Sequence, residues 1–221
     1  MSKRRKPETR ATNWKIILGI SGVGLFGLLA LLALALKPSE RLTLIKHCDQ
    51  NPDACVSVGD AAAPVTVLEV MDFGCSHCRD FHVDTLPQLK ADYVNTGDVR
   101  ILYLPYALGQ ATLPATHAAL CANEQAAFVP YADALFGQFG QADTLSQSGL
   151  QQTAAAIGLD TDQFDQCLSS GRYLQTIQDN IALASEWQVN STPTFFINNQ
   201  RVNGNQAYAS FVNQIESLRG G

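Results

Sequence analysis

The sequence predicts an α/β domain interrupted by a helical block and preceded by a long apolar segment. Three observations carry this reading. VTVLEVM (65–71) and VRILYLPY (99–106) are β-branched or apolar runs of strand length with a helical pattern between them. From about 113 to 187 the chain turns rich in Ala, Gln and Leu, with helix-start signals. It then returns to strand character in TPTFFINNQRVNG (192–204). Strand, helix and strand in succession make a βαβ unit, for which a parallel pair and a right-handed crossover are expected.

The first fifteen residues hold Lys3, Arg4, Arg5, Lys6, Arg10 and Lys15 against Glu8, and lead into an uncharged run, 16–36, of 21 residues. At a helical rise of about 1.5 Å per residue such a run reaches about 30 Å, the thickness of a bilayer's hydrocarbon core. The basic flank predicts a cytoplasmic tail over 1–15, a transmembrane signal-anchor over 16–36 and an extracytoplasmic remainder. Ala33-Leu34-Ala35 also fits a small-x-small cleavage site, so removal of the anchor after Ala35 stays open; in both cases the remainder is exported. Residues 37–63, polar and broken by Pro38, Pro52 and Gly59, read as an extracytoplasmic linker. The domain then occupies 64–221, with the helical insert at about 111–188. Within it, Pro87 is expected to kink the helix that runs to about Val94. Asp143-Thr144 and Asp160-Thr161 mark helix starts and Gly158 a stop. A hairpin turns near Asn198-Asn199, and 205–218 closes the chain as an amphipathic helix.

Beyond residue 15 the chain carries 9 of its 15 Lys and Arg and 19 of its 20 Asp and Glu. This acidic balance argues against nucleic acid and anionic lipid as partners; contact with a membrane is through the chain's own anchor. All six cysteines, at 48, 55, 75, 78, 121 and 167, follow the apolar run. An even count in an exported segment reads as a disulfide framework.

The chemistry lies in MDFGCSHCRDF (71–81). Cys75 falls at the junction of strand and helix, where unpaired backbone N–H groups and the helix dipole favour an anion. A thiolate is stabilised there, which makes Cys75 the candidate nucleophile. Cys78, three residues on and on the same helical face, is placed to close a bridge with it. His77, between them, can donate a hydrogen bond or bring positive charge to the sulfur. A dithiol whose reduced form is stabilised in this way passes its disulfide on, and so acts as an oxidant. His47 with Cys48 and Cys55 does not have the spacing of a usual zinc knuckle. No metal and no cofactor are expected beyond the redox-active Cys75–Cys78 disulfide.

VTVLEVMDFGCSHC, a helical block and then STPTFFINN together resemble the DsbA-like thiol-disulfide oxidoreductases. The resemblance runs from Pro64 to the C-terminus. It implies a thioredoxin-like fold with an inserted all-helical subdomain, of the membrane-anchored bacterial type. It further implies that Pro193 is cis and packs beside the dithiol, and that the backbone of Thr192 pairs with an extended substrate segment. Glu69, six residues before Cys75, takes by resemblance the place of a buried acid that accepts or relays the Cys78 proton. Strand alternation leaves a solvent-facing Glu69 as the alternative. Ser76 departs from the proline that many relatives carry after the first cysteine, and Thr192 from the valine of many soluble oxidases. Both departures bear on redox poise rather than on exchange chemistry.

With Cys75 paired to Cys78, the other four cysteines allow three connectivities. We take Cys121 with Cys167, which fall in separate helices of the insert, and Cys48 with Cys55. Loop closure gives upper estimates of about 4 kcal/mol for the first and about 2.5 kcal/mol for the second. A structural role is expected for both; a relay from one of them to the dithiol is the sharper alternative. The expected function is a thiol oxidase that introduces disulfides into reduced or unfolded exported proteins. A reductase or isomerase with the same fold, and a non-catalytic thioredoxin-fold binder, are the alternatives. The family implies a quinone-linked membrane re-oxidase of the DsbB or vitamin K epoxide reductase (VKOR) type. The lead-in is too short for a dimerisation module, so a monomer is expected.

Overall fold

The structure, a computed structural model, describes residues 43–198 and 200–219. The expected anchor at 16–36 and the tail before it lie outside the described residues; among those described, no helix is long and apolar enough to cross a membrane. Among the described residues five strands, β1 (Val56–Val58), β2 (Val65–Met71), β3 (Val99–Pro105), β4 (Thr194–Ile197) and β5 (Gln200–Asn203), form one sheet in the order β1-β3-β2-β4-β5. β2 and β3 pair in parallel, and every other pair is antiparallel. All seven residues of β2 are buried, as in a strand covered on both faces. Ile197 lies opposite Gln200, the register of a two-residue hairpin.

The segment read as a linker is part of the fold from residue 43. Helix α1 (Leu44–Gln50), N-capped by the Thr43 hydroxyl, leads to β1, which pairs with β3 and forms an edge of the sheet. The Cys48–Cys55 disulfide ties helix to strand. Proline and glycine suggested a loop, yet a sheet whose central strand is apolar on both sides needs a second cover. Leu44, Cys48, Ala54 and Cys55 supply it, packing with Leu68, Val70, Leu102 and Leu104. On the opposite face Val65, Val67 and Met71 pack with Phe81, Leu86, Leu89, Phe211 and Ile215.

Phe81, Leu86 and Leu89 belong to one helical run made of α2 (Ser76–Asp80), a π turn (Phe81–Thr85), α3 (Leu86–Leu89) and a second π turn (Lys90–Val94). The Leu86 N–H reaches the Phe81 carbonyl five residues back. Pro87 has no N–H to continue the ladder, and the widened turn just before it is how the helix passes the ring. Phe211 and Ile215 come from the C-terminal helix α9 (Tyr208–Arg219).

The insert comprises α4 (Leu113–Asn123), α5 (Phe128–Gly137), α6 (Gln147–Ala156), α7 (Thr161–Ser170) and α8 (Leu174–Glu186). Asp160 caps α7 by accepting from the Gln163 N–H at 3.0 Å. α6 starts three residues later than Asp143-Thr144 suggested: Asp143 is left-handed at φ 62°, and the cap is Ser146, whose hydroxyl accepts from the Gly149 N–H. Gly158, at φ 81°, follows the end of α6 as the expected stop. The Cys121–Cys167 disulfide joins α4 to α7. Where the insert returns to the sheet, the Arg201 guanidinium on β5 donates to the carbonyls of Trp187 and Gln188, each at 3.0 Å.

Candidate active site

The turn from β2 into α2 is fixed by Asp72. Its buried carboxylate accepts from the Gly74 N–H at 2.7 Å, the Leu108 N–H at 2.8 Å and the Thr112 hydroxyl at 2.5 Å. A Cβ on Gly74 would stand 2.6 Å from the Thr112 methyl, so the turn can approach the insert this closely only with glycine. Cys75 then caps α2 with extended backbone, and its carbonyl accepts from the Arg79 N–H at 3.1 Å. Its thiol is half-buried, whereas Cys78, one turn on, is fully buried.

Thr192 and Pro193 arrive from the start of β4 and are joined by a cis peptide bond. The Cys75 thiol donates to the Thr192 carbonyl at 3.1 Å, which puts this segment directly against the dithiol. The two thiols have opposite environments. Cys75 is lowered to about 5: its hydrogen bond with the Cys78 thiol outweighs the opposing burial, and the Thr192 side chain and the backbone N–H groups of Cys78 and His77 add to the effect. Cys78 is pushed far up, first by burial, then by its hydrogen bond to Cys75 and by the charge of Glu69. The stabilised sulfur is therefore the accessible one, and the inner sulfur holds its proton.

Ser76 and His77 are exposed at the helix start. The His77 imidazole has no hydrogen-bond or ion-pair partner among the described residues, so the expected side-chain assistance is replaced by the backbone N–H that the helix turn aims at Cys75.

Glu69 is completely buried, on the face of β2 shared with Val67 and Met71, rather than turned to solvent, and its charge acts on Cys78. It meets His82, a residue the sequence reading passed over: His82 Nε2 lies 3.2 Å from Glu69 Oε2, and His82 Nδ1 lies 3.7 Å from Asp133 Oδ1 on α5. Burial opposes a charge on His82, but Glu69 and Asp133 together outweigh it and push the imidazole up to about 9. The available signal was spacing: His82 is four residues after Cys78, on the same helical face. The π turn that begins at Phe81 holds it.

Residues 51–217 match a family model described as thioredoxin. A putative protein-disulfide oxidoreductase of Rickettsia prowazekii is 24% identical over 168 residues, 73% of this chain and 60% of that protein. A Na(+)/H(+) antiporter NhaA 1 of Mycobacterium sp. (strain KMS) is 28% identical over 180 residues, 80% of this chain; the chain spans 28% of that curated relative's length. Among solved structures, alpha-DsbA1 of Wolbachia pipientis superposes with a TM-score of 0.68 at 27% identity, over 74% of this chain and 90% of that one. The chain belongs to the thioredoxin family, and within it resembles the DsbA-type protein disulfide oxidoreductases.

Proposed function

We propose that the chain is an extracytoplasmic thiol oxidase that donates the Cys75–Cys78 disulfide to reduced, unfolded exported proteins. The observation that carries this reading is the pairing of an accessible Cys75 lowered to about 5 with a buried Cys78 pushed far up, beside the cis Thr192-Pro193 segment. A substrate thiolate attacks the Cys75 sulfur; the Cys75–Cys78 bond breaks, and Cys78 leaves with the electron pair and takes a proton by way of Glu69. A second substrate cysteine attacks the substrate sulfur of the mixed disulfide, and Cys75 leaves as a stabilised thiolate. The substrate has lost two electrons and two protons, and the dithiol has gained the electrons. Because the depressed thiol favours the reduced dithiol, the disulfide is readily given away.

An open groove of about 430 Å³ beside Phe73 and Gly74, also lined by Leu135 and Phe139, suits an extended, partly apolar chain. The basic tail and uncharged run before residue 37 support placement at the outer face of a bacterial cell membrane with the N-terminus inside. A quinone-linked membrane protein of the DsbB or VKOR type would return the dithiol to the disulfide, and the chain would work as a monomer.

The test is disulfide transfer from the oxidised chain to a reduced secreted protein, followed by loss of substrate thiols. Cys75→Ser should abolish transfer, and Cys78→Ser, offered a substrate that already carries a disulfide, should accumulate a mixed disulfide through Cys75, because no resolving thiol follows. A reduction potential near that of thioredoxin, about −270 mV, would instead mark a reductase and sink the oxidase reading.

A further inference from the structure

Glu69 has no exit of its own. Neither it nor Cys78 is exposed at all, so a proton taken from Cys78 cannot reach water from the carboxylate directly. His82 supplies the missing connection. It touches Glu69 with one ring nitrogen and faces Asp133 with the other, and these four buried atoms, both Glu69 oxygens and both His82 nitrogens, have no other hydrogen-bond partner among the described residues. His82 also lines a surface cleft of about 280 Å³ together with Lys90, Asn95 and Asp133. The Asp133 side chain is 49% exposed. Groups facing the imidazole are thus Glu69 from β2, Tyr103 from β3 with its ring 5.8 Å away, Asp133 and Phe136 from α5, and Lys90 across the cleft.

We propose that His82 is a proton relay between Glu69 and Asp133, connecting the buried Cys78 to the solvent in the cleft. The inference rests on the thiol-disulfide exchange reading and adds the path by which its proton leaves. When Cys78 closes the ring, its S–H gives a proton to Glu69; the resulting thiolate attacks Cys75 in the mixed disulfide, the Cys75–partner bond breaks, and the partner leaves as a thiolate carrying the electron pair. Protonation of Glu69 removes the charge that holds the imidazolium, and His82 gives its Nδ1 proton to Asp133 and on to cleft water. The ring is left neutral with its proton on Nε2, and the reverse sequence restores the imidazolium and protonates Cys78 when the disulfide is donated. An imidazole is suited to this because one nitrogen stays with Glu69 while the other exchanges its proton on the opposite side of one rigid ring. His82 touches neither sulfur; it acts through Glu69 as a positioning and relay residue.

A chromogenic aromatic disulfide tests this on the reduced full chain, releasing one coloured thiolate when Cys75 attacks and a second when Cys78 resolves the mixed disulfide. For His82→Gln the first release should keep the wild-type rate and the second should slow about tenfold or more, the scale of general acid-base assistance. Imidazole added to His82→Ala should restore the second release, and Asp133→Asn should slow it selectively. A counter-ion role alone would give no rescue by imidazole and would overturn the relay. So would second-release rates in His82→Gln and Asp133→Asn equal to the wild type, with the proposed function left standing. If His82→Gln does not fold, Asp133→Asn, at the surface, decides by the same comparison. A wild-type chain that gives no second release would overturn the exchange reading itself.

Discussion

At the scale of single residues, two identical thiols three positions apart acquire opposite acidities from burial, hydrogen bonding and the charge of Glu69. The consequence for stability follows from the sign of the Cys75 shift. Its thiol ionises near pH 5 in the reduced fold and at 9.0 by its ordinary value. The stabilisation it gives the reduced fold is fully present above pH 9, diminishes as the pH falls from 9 to 5 and is absent below 5. His82, raised to about 9, acts oppositely: its contribution is present below its ordinary 6.5 and lost as the pH rises through 9. The oxidised chain keeps Glu69, His82 and Asp133 and lacks only the two thiols, so comparison with it isolates the thiol contribution. The gap between the melting temperatures of the two forms should therefore change in favour of the oxidised chain as the pH is lowered from 9 to 5. Parallel thermal melts at a series of pH values check it, and a constant gap contradicts the depressed thiol. The cysteines and the late Thr-Pro were legible in the sequence because their chemistry is written in short contiguous motifs. His82 and Asp133 were not, since their meaning comes from side chains on β2, the π turn and α5 that meet only in the fold. Asp72 left a fainter trace, an aspartate two residues before a glycine at a turn, where such a side chain takes the following N–H.

Among elements, the same contrast separates β2 and β3, whose apolar runs define them, from the start of α6, whose capping depends on packing around it. Gly149 shows this. Its missing Cβ would lie 2.1 Å from the Asp143 carbonyl oxygen and 2.7 Å from that of Thr144. Helix propensity alone favours Gly→Ala by about 1 kcal/mol. The close carbonyls reverse the sign, and Gly149→Ala should destabilise the chain by about 1–3 kcal/mol, as overpacking does, measured by urea unfolding. The lead-in was misread for a related reason. Pro52 and Gly59 mark the connections around α1 and β1 accurately, but the disulfide and the apolar face of the sheet turn those short pieces into a covering layer. Composition carries no record of a partner surface about 45 residues further on, such as the edge of β3 that accepts β1.

For the whole molecule, covalent and polar ties hold the helical insert together and fasten it to the sheet. Cys121–Cys167 closes a separation of 46 residues. Replacing both with alanine should cost about 2–5 kcal/mol in chemical unfolding, the range for loss of a native disulfide. Disulfide donation by Cys75 should persist at a temperature where that variant stays folded; its loss there would favour a redox link between the two pairs. The insert's two junctions with the sheet are each closed by one side chain. Asp72 gathers Leu108 and Thr112 where the helices begin, and Arg201 gathers the carbonyls of Trp187 and Gln188 where they end. In engineering terms the helical block is a cassette with two defined splice points. A foreign cassette that kept a backbone donor and a hydroxyl at the first and a pair of carbonyls turned toward the arginine at the second would meet the host sheet on the same terms, leaving the dithiol turn undisturbed while the groove beside it was exchanged.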